Sequence, residues 1–374
     1  MVISFSGCQD EVSDYNGPWW PEAHANPAHT GTIDTTDFSM QENAWEYQFK
    51  NGYSRSTPVV VNGYFYVTCT DGYIYCFKDT KKPKIVWKYQ TENSVTNSVI
   101  YRNGIIYAAS NDGCVYALDA KKGDLIWFKS VNDPINFTPV VTNDAIILST
   151  ETTNTVYALS LDNGKNLWSY TVTNWIVTDM TYYDGGIDGG IVFFGCNDSY
   201  FYALNAKTGK ILWKYYTHSI DIKTAAAYND KVYFGGGSGT MYCFNVLNDS
   251  EVVTPVWTYE CYNWISGAPA IKDGKVVFGS YDNFLYCCDA ETGERLWYYQ
   301  APYWVTSGVT IVGNSVLFAA SGNKDNKYYL YCIDFDTQKF RWVSNSSYII
   351  RSAPSVVNGC VYYTNDGGKL IKLY

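Results

Sequence analysis

The sequence predicts an all-β protein, an eight-bladed β-propeller with four-stranded antiparallel blades, and three observations carry that expectation. Tryptophan recurs at Trp45, Trp87, Trp127, Trp168, Trp213, Trp257, Trp297 and Trp342, at intervals of 40 to 45 residues; self-similarity at such a period marks a stacked repeat. The composition suits strands, because 36 Tyr, 17 Phe and 13 Trp accompany many Val, Ile and Thr, and 30 Gly supply turns. Finally, the last of these Trp is followed by three strand-like runs and no fourth, whereas the first lies on a run that precedes the first complete set.

Residues 1–40 read as a start segment and an extended tail, and residues 41–374 as the propeller. Met1 to Cys8 (Met-Val-Ile-Ser-Phe-Ser-Gly-Cys) resembles the end of a lipoprotein signal, with the small pair Ser6-Gly7 directly before a Cys8 that would carry lipid. The polar run Gln9 to Asn16 would then serve as a tether. The alternative is an ordinary cysteine in a polar tail. The lipid-anchored reading places the protein in the cell envelope, outside the cytoplasm.

Ala44 to Phe49, bearing Trp45, is the first strand of the propeller. The first complete unit runs Thr57 to Val61, an Asn62-Gly63 turn, Tyr64 to Thr70, an Asp71-Gly72 turn, Tyr73 to Lys78, a Lys-rich turn, and Ile85 to Gln90. Asn-Gly and Asp-Gly suit two-residue hairpins whose central residues both take positive φ, so the unit is a meander. Later units share the phrase Val115-Tyr116-Ala117-Leu118-Asp119-Ala120-Lys121-Lys122-Gly123-Asp124-Leu125-Ile126-Trp127, repeated from Phe201 to Trp213 and from Leu285 to Trp297.

A meander with two apolar faces must stack on copies of itself. Blades set around an axis diverge outward, so first strands carry small residues (Ala268-Pro269-Ala270, Ala353-Pro354-Ser355) and last strands end in Trp with Tyr or Phe. Each of the eight indoles should fill the gap to the next blade, burying about 150–250 Å². The three strands from Ala353 to Tyr374 lack a fourth, and the strand bearing Trp45 would supply it. That closes the ring and removes an exposed edge.

A net charge of −9 without a basic run longer than two residues argues against nucleic acid or an anionic membrane surface as partner. No apolar stretch of about 18 residues is present, so a lipid anchor would be the sole membrane attachment. Of the 11 Cys, Cys76, Cys243, Cys287 and Cys332 occupy the slot held elsewhere by Ala117, Ala158 and Ala203. They read as small core residues rather than disulfide partners. His24, His29 and His218 are too scattered for a zinc site or a Ser-His-Asp triad.

The phrase Tyr-Ala-Leu-Asp-Ala-x-Thr-Gly-x-x-x-Trp resembles the tryptophan-docking motif of quinoprotein (PQQ-like) propellers, over Trp45 to Tyr374. Trp19-Trp20-Pro21, followed by His29-Thr30-Gly31, is similar to the opening of the same group. The resemblance implies one of two branches. One comprises the quinoprotein dehydrogenases, longer chains with PQQ over a Ca²⁺ held by Glu, Asn and Asp, often with a disulfide between adjacent cysteines. The other comprises non-catalytic propellers of about this length, similar to the lipoprotein subunit of the outer-membrane β-barrel assembly machinery.

Cys287-Cys288 is the one adjacent pair, but neighbours in mid-strand point to opposite faces, and the Ca²⁺ ligands have no counterparts here. The expectation is a non-enzymatic protein with no cofactor and no metal. PQQ and Ca²⁺ belong only to the alternative, a quinoprotein-like redox protein.

Aligned on the proline slot (Pro58, Pro139, Pro269, Pro354), Tyr53, Trp175, Trp264 and Trp304 fall at one position ahead of the first strand, with Tyr348 one residue away. These segments should converge on the mouth of the central channel. There the rings would stack on a protein or glycan partner, or cap the core at the loop ends. Two or three positions further in stand Arg55, Lys223, Arg351 and, nearby, Asp179. Charge in a narrow channel needs a partner, which would be one another, water or an anionic ligand. The expected role is a monomeric, surface-anchored scaffold for a protein or carbohydrate.

Overall fold

In the computed structural model, which describes residues 23, 25, 26, 28–33, 43–248, 250, 253–322 and 326–374, the first meander pairs Val59–Val61, Tyr64–Thr68, Tyr73–Lys78 and Lys84–Gln90 in sequence order. Six more antiparallel blades follow, whose first strands are Ile100–Arg102, Val140–Val141, Thr181–Tyr183, Ala226–Tyr228, Ala270–Lys272 and Thr310–Val312. The eighth takes Ser355–Val357, Cys360–Asn365 and Lys369–Leu373 from one end of the chain and Asn43–Gln48 from the other. Trp45 lies opposite Lys372 in that closing pair. The all-β, eight-bladed ring with shared last blade is therefore the architecture. Cys8, Trp19, Trp20, Pro21 and His24 lie outside the described residues.

The first hairpin turn forms as expected, with positive φ at both Asn62 (51°) and Gly63 (71°). The second does not. At Asp71-Gly72 only Gly72 is left-handed (84°), because the aspartate side chain closes the turn instead. Asp71 Oδ1 accepts the Tyr73 N–H at 3.1 Å and Oδ2 accepts the Tyr75 hydroxyl at 2.6 Å, an Asx turn with ordinary φ at the aspartate. Asp112, Asp198 and Asp282 make the same two bonds in their own blades. The tyrosine of the repeated phrase is thus tied to the turn that precedes it.

The indoles join one blade to the next. Trp87, Trp127, Trp168, Trp213 and Trp257 donate Nε1–H to the carbonyls of Ala120, Leu161, Ala206, Val246 and Ala290 in the following blade, at 2.8–3.0 Å. Trp297 instead meets Phe335 edge-on, at 6.3 Å and 85°, and Trp45 stacks on Phe65 at 5.3 Å. The Nε1 atoms of both are buried without a hydrogen bond. The four cysteines of the alanine slot are fully buried, and no disulfide joins cysteines among the described residues. Cys287 and Cys288 enter two different inter-blade cores.

The described part of the N-terminal tail lies inside the ring. Ala28, Thr30 and Gly31 carbonyls accept N–H groups from Ala227, Ile271 and Ile311, at 2.8–2.9 Å. These donors belong to the first, axis-facing strands of blades 5, 6 and 7. Thr32–Ile33 then pairs in parallel with Thr310–Val312. His29, 1 % exposed, lies 3.4 Å from the Thr181 hydroxyl of blade 4. The segment therefore runs across four blades within the channel, satisfying inner-edge N–H groups that need a partner.

A buried carboxylate fixes the loop entering blade 3. Burial opposes ionisation of Asp133, yet the hydroxyls and backbone N–H groups of Thr152 and Thr153 all donate to it and hold it down at about 2. An unfolded aspartate titrates near 3.9. Because the folded value is depressed, this contribution is present above about pH 4 and is lost as pH falls toward 2; it amounts to about 2 kcal/mol. Asp133→Asn should accordingly be less stable than the parent by that amount at pH 5, with the gap closing by pH 2. Urea-unfolding midpoints at the two pH values check this, and a gap independent of pH would refute the assignment.

Candidate binding site at the channel mouth

The rim is built by the residues just before each first strand, where backbone pairing sets a common register. The carbonyls of Tyr53, Trp175 and Trp264 accept the N–H groups of Thr70, Asn197 and Tyr281. Trp304 pairs with Ser321 on the corresponding edge of blade 7. In blade 8 the equivalent carbonyl belongs to Ile349, bonded to Asp366 N–H, so Tyr348 is offset by one residue. In blade 5 that register falls on Asp221, whose carbonyl accepts Gly237 N–H. Tyr53 is 36 %, Trp175 59 %, Trp264 54 % and Tyr348 50 % exposed, and Trp304 is half-buried.

The aromatic residues do not form one continuous ring. Trp264 and Trp304 flank Tyr281, with centroids 6.3 and 5.7 Å from it and planes tilted by 67° and 52°. Tyr53 carries the Arg55 guanidinium over its face at 5.0 Å, and Tyr348 lies against Gly367. Trp175 stands apart beside its own cavity of about 170 Å³, walled by Phe137, Thr150, Glu151, Ile176 and Val177.

Two residues inward, Arg55 and Arg351 converge on one carboxylate. Asp366 accepts Arg55 Nε at 3.0 Å and Nη2 at 3.4 Å, and Arg351 Nε at 2.9 Å. Lys223 is held separately by Asp221 at 2.6 Å. Asp179 accepts the Thr138 N–H at 2.7 Å and makes no ion pair among the described residues. Burial pushes the Asp179 carboxyl up, against the lowering effect of that hydrogen bond. Burial also raises the Tyr281 phenol, on which Arg351 acts to lower and Asp221 to raise. Of the alternatives left by the sequence, ion pairing within the protein accounts for all three cations.

Arg55, Arg351, Lys223 and Asp179 line a mouth cavity of about 280 Å³ that has Ala23 of the threaded segment in its wall. Sequence reasoning missed Asp221, Asp366, Tyr281 and Phe137. Asp366 sits in a stretch that reads as an ordinary Asn-Asp-Gly-Gly turn, and only the register between strands brings it to the arginines. Among the described residues no group of three or more His, Cys, Asp or Glu could hold a metal ion. Asp221 and Asp366 are paired with cations, and Asp179 is the one carboxylate on the wall of the mouth cavity, a donor set too poor in anionic oxygens to fit a quinone seated over Ca²⁺.

The family described as outer membrane protein assembly factor BamB matches residues 30–136, 115–253 and 249–303, a run from 30 to 303 of the 374 residues. The chain belongs to that family. Over 138 residues this BamB-family chain is 33 % identical to a quinoprotein ethanol dehydrogenase of Pseudomonas aeruginosa, an alignment covering 30 % of the chain and 21 % of the relative. It thus spans about a fifth of the length of the curated relatives it matches. Among solved structures it superposes on BamB from Moraxella catarrhalis with a TM-score of 0.71 at 16 % identity, covering 89 % of this chain and 99 % of that one. A europium-containing methanol dehydrogenase gives 0.75 at 14 % identity, with 97 % and 99 % covered. Likeness at these identities establishes the propeller, which in the BamB family and the dehydrogenases is the same ring.

Proposed function

We propose that this chain is a non-enzymatic scaffold of the cell envelope, held outside the cytoplasm by a lipid on Cys8, which binds a protein partner through the aromatic mouth. The observation that carries the reading is the commitment of Asp179, Asp221 and Asp366 to partners within the protein, beside rings that remain exposed. A redox cofactor requires donors free to hold it and its metal, whereas a docking face requires exposed aromatic and arginine groups over a rigid support. Family membership and the superposition on BamB favour the same side.

A photo-crosslinking residue at position 264 should yield a discrete adduct in cells, and one at Asn103, on the turn at the far end of blade 2, should not. Equal crosslinking from both positions would sink the reading. Purified protein should also melt at the same temperature with and without PQQ and Ca²⁺; a stabilisation of several degrees would support the redox alternative instead. Cys8→Ala should abolish incorporation of labelled palmitate.

A further inference from the structure

We propose that the mouth takes an extended segment of the partner protein, with a large apolar side chain in the cavity beside Trp175 and a carboxylate on the same segment bridging Arg55 and Arg351. This rests on the reading of the mouth as a protein-docking face and deepens it by assigning the chemistry of the occupant.

The first support is the form of the cavity. Phe137, Val177 and Asn136 wall both the Trp175 cavity and the mouth, so the smaller space is a side pocket of the larger. Apolar groups (Phe137, Ile176, Val177 and the Trp175 ring) dominate its walls, and at about 170 Å³ it suits one anchoring side chain. Deep pockets of this kind are where a few aromatic or aliphatic anchors concentrate binding energy.

Charge supplies the second. Asp366 is shared by two guanidiniums, which leaves one positive charge in excess at that sector of a chain whose net charge is −9. Arg351 uses only Nε on Asp366, and Arg55 uses Nε and Nη2. Neither makes another hydrogen bond among the described residues, and their side chains are 44 % and 46 % exposed. The remaining Nη N–H groups form planar forks that match a carboxylate. Glu151, exposed on the wall of the side pocket, repels an acid placed next to the apolar anchor. It therefore sets the direction, with the apolar end at blades 3 and 4 and the acidic end at blades 8 and 1.

An extended polypeptide meets both demands better than a glycan. Stacking on a pyranose wants a broad flat ring face, and the mouth rings are tilted against one another by 52° and 67°. The mouth is also lined by Thr96, Asn136 and Ser266, which can meet the N–H and C=O groups of a backbone crossing it.

Phage-displayed random 12-residue peptides, panned on the full-length protein, test the proposal. Enriched peptides should pair a Leu, Phe or Trp with an Asp or Glu at constant separation. Changing that acid to Asn or Gln in the synthetic peptide should weaken binding about tenfold to the parent and leave binding to the Arg55→Ala/Arg351→Ala protein unchanged. Trp175→Ala, at an exposed position, should weaken every enriched peptide. Arg351→Glu should shift the enriched residue from acid to Lys or Arg, an exchange that a misfolded variant cannot mimic. Peptides that depend on Trp175 and Trp264 but tolerate loss of the acid would overturn this inference and leave the docking face standing. Peptides indifferent to all of these changes, no enrichment at all, or saturable binding of neutral oligosaccharides in their place would overturn it, and the crosslinks from position 264 then judge the wider reading separately.

Discussion

Lys372→Met is expected to lower the unfolding free energy by about 3–5 kcal/mol, because it strands a buried carboxylate at the seam where the ring closes. Lys372 lies on the last strand of the chain, opposite Trp45, and its Nζ reaches both oxygens of Asp79 in blade 1, at 2.9 and 2.8 Å. The Tyr362 hydroxyl donates to the same carboxylate at 2.6 Å. The side chains of Lys372 and Asp79 are only 4 % and 14 % exposed. Asp79 stands where blades 2, 4 and 6 carry Ala120, Ala206 and Ala290, and its carboxylate adds an ion pair at the seam. The Trp45 Nε1 is buried there without a hydrogen bond.

The double variant Asp79→Ala/Lys372→Met separates two explanations. If the loss in Lys372→Met is the cost of an unpaired buried charge, removing the charge as well should recover most of it, since a buried pair itself contributes little net stability. Urea-unfolding midpoints for the parent, both single variants and the double provide the cycle. A double variant as unstable as the sum of the singles would mean that the seam is held by packing at these positions and not by the pair.

How far the sequence reached depended on whether a feature is local. The period of the eight Trp, the Asn62-Gly63 turn and the unpaired strand bearing Trp45 are written within single units, and each led to its place in the fold. The aromatic positions were also found from spacing, since Tyr53, Trp175 and Trp264 keep a constant offset from the proline slot. What spacing could not supply was contact between units. Asp366 meets Arg55 across the closing seam, and Asp221 fills the aromatic register in blade 5 because that blade is one residue shorter ahead of its first strand. Asp71 looks like half of a two-residue turn until its side chain is seen to bond Tyr73 and Tyr75. The threading of residues 28–33 along blades 5, 6 and 7 rests mainly on backbone hydrogen bonds, which leave no mark on side-chain pattern.

The glycine of the repeated phrase presents the same issue in measurable form. Gly123→Ala should cost about 2–5 kcal/mol, the sum of a left-handed backbone penalty and overpacking against the neighbouring indole. A Cβ at Gly123 would lie 2.6 Å from Trp87 Cδ2, and the equivalent atoms at Gly209 and Gly293 would lie 2.5 and 2.6 Å from Trp168 and Trp257. The glycine is therefore the floor on which the indole of the preceding blade rests, and the Nε1 bond to Ala120 holds that indole in place. Gly104, in the same blade, is the control. Its φ of 82° is as left-handed as the 76° of Gly123, yet a Cβ there meets nothing within 4 Å, so Gly104→Ala should cost only the backbone share, about 1–2 kcal/mol. Blade 7 already carries the substitution: Gln338 occupies the glycine position with φ 56°, and the indole facing it, Trp297, lacks the carbonyl bond and meets Phe335 edge-on. The left-handed turn can thus be formed by a residue with a side chain, and what glycine adds is room for the indole. Equal destabilisation by the two alanine variants would contradict that account, whereas a larger loss at Gly123, restored in part when Trp87 is also reduced to Leu, would establish it.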